Sequence, residues 1–234
     1  MIKWMFAPPV AALAVAVVGL TGAPANATPI GPVCANNSCN GGIYTLTSDG
    51  VDIGGEALFD TYRLTMTVSN TDNIIDTLGG TAPYYIDAVS IKVSSSATGA
   101  TVVDAPDAAG NQGGQANWSI VNGGINAGGC SGSGGGFECA DWVSVGLGAL
   151  LSDGNDMSWT FDVRMADGAF WGVEGTQASI KARFVESDGT KIGALLSEDI
   201  TIQEHSVPEP ATLGVLGVGL IGLGFAARRR RKAA

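Results

Sequence analysis

The chain has 234 residues, 45% of them hydrophobic and 15% charged, with 22 acidic residues against 12 basic ones. Between the two ends, residues 28 to 207 hold six basic residues (Arg63, Lys92, Arg164, Lys181, Arg183 and Lys191) against 21 acidic ones, a net charge of −15. That balance excludes nucleic acid and anionic lipid headgroups as partners, since both need a basic footprint, and it suits a solubilised extracellular surface.

The N-terminus has the three parts of a secretory signal. Lys3 supplies the positive charge, and residues 10–20 are an unbroken run of small and aliphatic side chains. The run is too short to span a bilayer, which takes about 20 apolar residues, and it lacks the polar face of a core helix. Ala25-Asn26-Ala27 fits the small-x-small cleavage rule. Residues 1–27 are therefore predicted to be a signal peptide, cut between Ala27 and Thr28 by a signal peptidase after passage through the secretion machinery.

In the mature segment, apolar residues alternate with polar ones. Tyr62, Leu64, Met66 and Val68 take every second place, as do Trp159, Phe161, Val163 and Met165, and again Ile180, Ala182 and Phe184. A period of two predicts half-buried strands. Further strands are predicted over 43–47, 86–94, 118–121, 142–145 and 199–202. Turn signals separate them at Ser48-Asp49-Gly50, Asp153-Gly154-Asn155, Ala166-Asp167-Gly168 and Ser187-Asp188-Gly189. Adjacent apolar residues at Ala88-Val89 predict a bulge. Residues 104–117 and 122–136 read as loops rich in Gly, Asn and Ala, and no amphipathic helix stands out. The expectation is all-β: a single β-sandwich ectodomain of about eight to nine strands over residues 28–203.

Cys34, Cys39, Cys130 and Cys139 are an even set in an exported chain, which predicts disulfides. Three connectivities are open. The local pairs Cys34–Cys39 and Cys130–Cys139 are favoured because both intervening segments turn easily, and each would stabilise by roughly 2–3 kcal/mol. The spacing does not match a zinc knuckle.

The residues offer little chemistry. The one histidine, His205, falls in the linker after the last strand, so a Ser-His-Asp triad has no centre. Paired carboxylates for glycoside hydrolysis exist by inventory only, mostly at outward strand positions or in Asp-Gly turns. Asp153-Gly154-Asn155-Asp156 and the Asp104/Asp107 loop carry hard oxygen ligands, but neither matches the calcium-loop pattern. The glycine-rich stretch at 128–136 lacks the Lys-Ser/Thr of a phosphate-binding loop. No enzyme, metal or cofactor is expected. Among the tryptophans, Trp159 reads as core. Trp171, between Phe170 and Gly172, is the candidate for stacking on a sugar ring, with Trp118 behind it.

At the C-terminus, Val207-Pro208-Glu209-Pro210 precedes residues 211–227, an uncharged run, and then Arg228, Arg229, Arg230, Arg231 and Lys232. Seventeen helical residues reach about 26 Å, enough for a slightly thinned bilayer core. The basic cluster stays cytoplasmic by the positive-inside rule. The prolines hold the motif extended, the form in which proteases take their substrates. The predicted layout is a linker with the motif over 204–210, a transmembrane helix over 211–227 and a basic tail over 228–234.

Together these three parts resemble the PEP-CTERM sorting signal. The stretches CNGGIYTLT, GGINAGGCSGSGGGFECADW and ASIKARFVESDGTKIGALLSEDITI also resemble a recurring set of PEP-CTERM ectodomains. The resemblance implies an exosortase-type processing enzyme as partner, an inner-membrane-anchored precursor in a Gram-negative envelope, and delivery to the cell surface or extracellular matrix with exopolysaccharide. The expected function is that of a structural or adhesive protein; the alternative is a carbohydrate-binding module for that exopolysaccharide.

Overall fold

The computed structural model describes residues 29–130, 134–171 and 177–204. The expected signal segment with Ala25, Ala27 and Thr28 lies outside these residues. So do His205, the motif at Val207–Pro210, the apolar run at 211–227 and the basic cluster at 228–232. Among the described residues no helix is long and apolar enough to cross a membrane.

Among these residues eleven strands form two sheets: β1 (Ile43–Asp52), β2 (Phe59–Ser69), β3 (Tyr85–Lys92), β4 (Gly99–Asp104), β5 (Trp118–Asn122), β6 (Phe137–Trp142), β7 (Ala149–Leu150), β8 (Met157–Ala166), β9 (Gln177–Val185), β10 (Lys191–Thr201) and β11 (Gln203–Glu204). The five-stranded sheet runs β11-β1-β2-β8-β4, and the six-stranded sheet runs β10-β9-β3-β6-β5 with β7 also paired to β3. All pairs are antiparallel except β1 with β11. The expected all-β sandwich is what the chain forms.

Alternation sorts each strand. Leu64, Met66 and Val68 of β2 stand opposite Phe161, Trp159 and Met157 of β8, all turned inward. From the other sheet Val89 and Ile91 of β3 pair with Ala182 and Ile180 of β9 to close the same core. Each fully buried aliphatic or aromatic side chain contributes about 1.5–3 kcal/mol. Trp118 fills one end, edge-on to Trp159 at 5.6 Å between ring centroids.

Several expectations are corrected. A helix does form: α1 (Thr71–Leu78) buries Ile74 and Leu78. Its Thr71 hydroxyl donates to the Ser152 and Asn155 carbonyls, which ties down the turn at 153–155. Asn, Asp and Thr are weak helix formers, so tertiary packing rather than propensity holds these eight residues. Ser48-Asp49-Gly50 is no hairpin turn: it lies inside β1, where pairing with β2 slips between Ser48 and Asp52 and Gly50 takes φ +67°. The strand expected at 142–145 lies upstream, ending at Trp142, and β4 begins where no strand was expected. The bulge expected at Ala88-Val89 sits one residue earlier, between Ile86 and Ala88 on the β9 side.

Candidate ligand-binding face

Both local disulfides form, Cys34–Cys39 and Cys130–Cys139. The second clips the loop after β5 onto the outer face of the six-stranded sheet, where Cys130, Cys139, Ala88 and Ile125 make a small separate apolar cluster. Arg183 of β9 strengthens the clip. Its guanidinium pairs with Asp87 and donates to the Ala127 carbonyl at 3.0 Å. Burial pushes the Asp87 carboxyl upward, and the Arg183 hydrogen bond and charge pull the other way. At Gly136 (φ +81°) a Cβ would stand 2.3 Å from the Ser94 carbonyl oxygen, so only glycine lets the loop return beside β3.

Register then assembles the rest of the face. Phe137, Lys92, Ser179 and Asp199 lie in one row across β6, β3, β9 and β10; Cys139, Ser90, Lys181 and Ser197 lie in the next. The Lys92 and Lys181 ammoniums sit 5.5 and 4.6 Å from the Phe137 ring centre, and Lys92 is also 5.5 Å from the ring of Trp171. Trp171 is held there by its backbone N–H, which donates to the Val93 carbonyl at 3.0 Å. Phe170, by contrast, turns inward and stacks on Tyr62 at 4.1 Å. The result is a run of half-buried side chains in the order Trp171, Lys92, Phe137, Lys181.

Both outer faces carry satisfied polar pairs, on the six-stranded sheet Ser179 donating to Asp199 at 2.5 Å and Arg183 pairing with Asp87, and they differ at two lysines. On the five-stranded sheet Arg63 forks onto Asp162 at 2.7 and 2.8 Å, and Thr65 and Thr67 hydrogen-bond to Thr160 and Ser158. On the six-stranded sheet, Lys92 and Lys181 have no carboxylate within ion-pair distance among the described residues. Both ammoniums lie over aromatic rings instead.

Phe137 separates two open clefts. The larger, about 480 Å³, is lined by Ser179, Lys181 and Ser197 together with the carboxylates Glu198 and Asp199. The smaller, about 300 Å³, is lined by Ala97, Asn122, Gly134, Gly135 and Glu138. Glu138 faces inward, opposite to its neighbours Phe137 and Cys139, and is 2% exposed. Its Oε2 has no hydrogen-bond partner, and burial pushes the carboxyl up to about 7.

Of the residues singled out in the sequence, Trp171 lies on this face, whereas Trp118 is buried, its indole N–H donating to the Pro106 carbonyl at 2.8 Å. A sugar-stacking role for Trp118 is thereby overturned. Asp104 and Asp107 accept backbone N–H groups within their own loop at 2.8 to 2.9 Å, which makes them turn builders. Phe137, Lys92, Lys181 and Glu138 are residues that sequence reasoning missed. The one available signal was the scarcity of cations, since three of only six (Lys92, Lys181 and Arg183) fall at outward positions of β3 and β9.

Residues 206–231 match the family model for the PEP-CTERM protein-sorting motif. No curated protein matches the chain. Among solved structures, the major pilin subunit BcpA of Bacillus cereus is 8% identical over 70% of this chain and 40% of its own, with a TM-score of 0.34. The C-terminal domain of the Streptococcus agalactiae AgI/II polypeptide BspA is 11% identical over 68% and 50%, TM-score 0.34. A C-terminal fragment of the major pilin GBS80 of Streptococcus agalactiae is 6% identical over 69% and 56%, TM-score 0.34. The chain thus spans 40% to 56% of the lengths of these three.

Proposed function

We propose that this chain, which carries the PEP-CTERM protein-sorting motif of exosortase substrates, is a non-enzymatic structural or adhesive protein of the cell surface or extracellular matrix. The motif marks an exported, membrane-anchored precursor; the adhesive role is our reading. In it, the signal peptidase and an exosortase-type enzyme trim the two ends, and the sandwich acts outside the cell.

The carbohydrate-binding reading has a specific observation in its favour, the run Trp171, Lys92, Phe137, Lys181 on the outer face of the six-stranded sheet. Aromatic faces stack on the C–H faces of sugar rings, and ammoniums donate to ring and hydroxyl oxygens. Such a face suits a repetitive polymer better than a small ligand, because both clefts are open and lie side by side across Phe137. The adhesive function is then retention of exopolysaccharide on this face.

The test is migration of the processed protein through gels containing its native exopolysaccharide. Wild type is expected to be retarded, and the pair Lys92→Ala, Lys181→Ala to run free with unchanged circular dichroism. Equal retardation of both would refute the face as the contact.

A further inference from the structure

Three large apolar side chains meet water where β1 turns into β2: Val51, Ile53 and Leu58 are 52%, 44% and 74% exposed. The backbone of this bend is held in place. The Ile53 N–H donates to the Thr61 carbonyl at 2.8 Å, and the Leu58 carbonyl accepts the Asp167 N–H at 3.2 Å. The fold fixes the bend and leaves these side chains uncovered.

The chain leaves the sandwich toward this bend. β11 lies parallel to β1, with Gln203 beside Thr47 and Glu204 beside Ser48, so it points along β1 toward Asp52. From Ser48 to Gly54 is six residues, an overhang of about 20 Å at strand rise. From Glu204 to Ala211, where the uncharged run begins, is seven residues, which span at most about 25 Å. The two lengths nearly match, so a bilayer that holds residues 211–227 cannot stand far beyond the bend.

The bend's own carboxylates are occupied. Asp52 accepts the N–H groups of Gly54 and Thr61 at 2.9 and 2.7 Å, and Glu56 pairs with Arg164 at 2.7 Å. The net negative charge of the domain disfavours anionic lipid, so the surface that fits is an uncharged one.

We propose that this bend is a membrane contact of the precursor: Val51, Ile53 and Leu58 rest in the interface of the bilayer that carries the chain's own 211–227 run, among uncharged headgroups. This rests on the membrane-anchored reading of the sorting motif given above. Three side chains alone hold a bilayer weakly, and the tether supplies the effective concentration; trimming of the tail therefore releases the contact.

The test uses the precursor over residues 28–234 in phosphatidylcholine vesicles with a spin-labelled headgroup as quencher. A polarity-sensitive fluorophore is placed on Leu58→Cys or, at the opposite end of the sandwich, on Val145→Cys, a position 94% exposed. The Leu58 fluorophore should shift to the blue and be quenched, and the Val145 fluorophore should do neither. Val51→Asp with Ile53→Asp should abolish the Leu58 signal, with circular dichroism unchanged. Roughly tripling the linker with Gly/Ser residues after Ser206, which leaves the sandwich untouched, should cut that signal about fivefold. A Leu58 fluorophore that stays in water while the protein floats with the vesicles overturns the contact and leaves the anchor standing. A blue shift that grows with protein density and ignores the lipid quencher overturns it in favour of a second copy of the chain. Quenching at both positions overturns it too. Protein that does not float with the vesicles removes the anchored reading and the contact together.

Discussion

Replacing Glu138 by glutamine makes stability depend less on pH, in a direction the burial fixes. The carboxyl is pushed from 4.5 to about 7 by desolvation. In the folded chain it holds a proton that the unfolded chain releases, so its stabilising effect is full below the ordinary value and is lost as pH rises through about 7. A gap of about 2.5 pH units is worth about 3 kcal/mol, of which about 2 kcal/mol develops between pH 5 and pH 8. The glutamine amide does not titrate, so any hydrogen-bonding mismatch it introduces is a constant offset. The Glu138→Gln variant should therefore gain about 2 kcal/mol on wild type between pH 5 and pH 8. For a domain this size that is a change of about 4–8 °C in the gap between melting temperatures. Asp87, also raised by burial, titrates in both proteins and cancels. The assay is a thermal melt of each protein by circular dichroism at four pH values. Melting curves that stay parallel from pH 5 to pH 8 would refute the buried, uncompensated carboxyl.

Serine at both Cys130 and Cys139, which close a loop of sequence separation 9, should cost about 2.5–3 kcal/mol in denaturant unfolding. Amide protection at Gly123, whose N–H donates to the Phe137 carbonyl, should fall further than protection in β2. Trp159→Ala removes a fully buried indole and should cost about 3–5 kcal/mol, seen as a lower urea midpoint. Intact mass of protein recovered from the envelope should lack residues 1–27 and most or all of 211–234. Changing Pro208-Glu209-Pro210 to three alanines should leave precursor in the inner membrane.

The strands legible in the sequence were those buried on one face. In β2, β8 and β9 polar and apolar residues alternate cleanly, since one side meets water. β3 is buried on both faces under the disulfide-clipped loop, which blurs its period. In β6 the pattern is inverted: Glu138 faces inward while Phe137 and Cys139 face out, so Phe-Glu-Cys-Ala-Asp-Trp carried no strand signal. The disulfides were readable because short polar loops limit the geometry. The candidate face was not, apart from Trp171. Lys92, Phe137 and Lys181 are about 45 residues apart in sequence and meet only through the β6-β3-β9 register, which no local pattern encodes.

The outer face of the six-stranded sheet as the polysaccharide contact is tested most directly by titrating isotope-labelled processed protein with its native exopolysaccharide and mapping the NMR shifts. The Trp171 indole, the Phe137 ring and the Lys92 and Lys181 side-chain resonances should move together and saturate together. The threonine face around Thr65 and Thr160, whose hydroxyls already satisfy each other at 3.0 Å, should stay still. Shifts gathered on that threonine face, or none on either sheet at saturating polymer, would contradict the account.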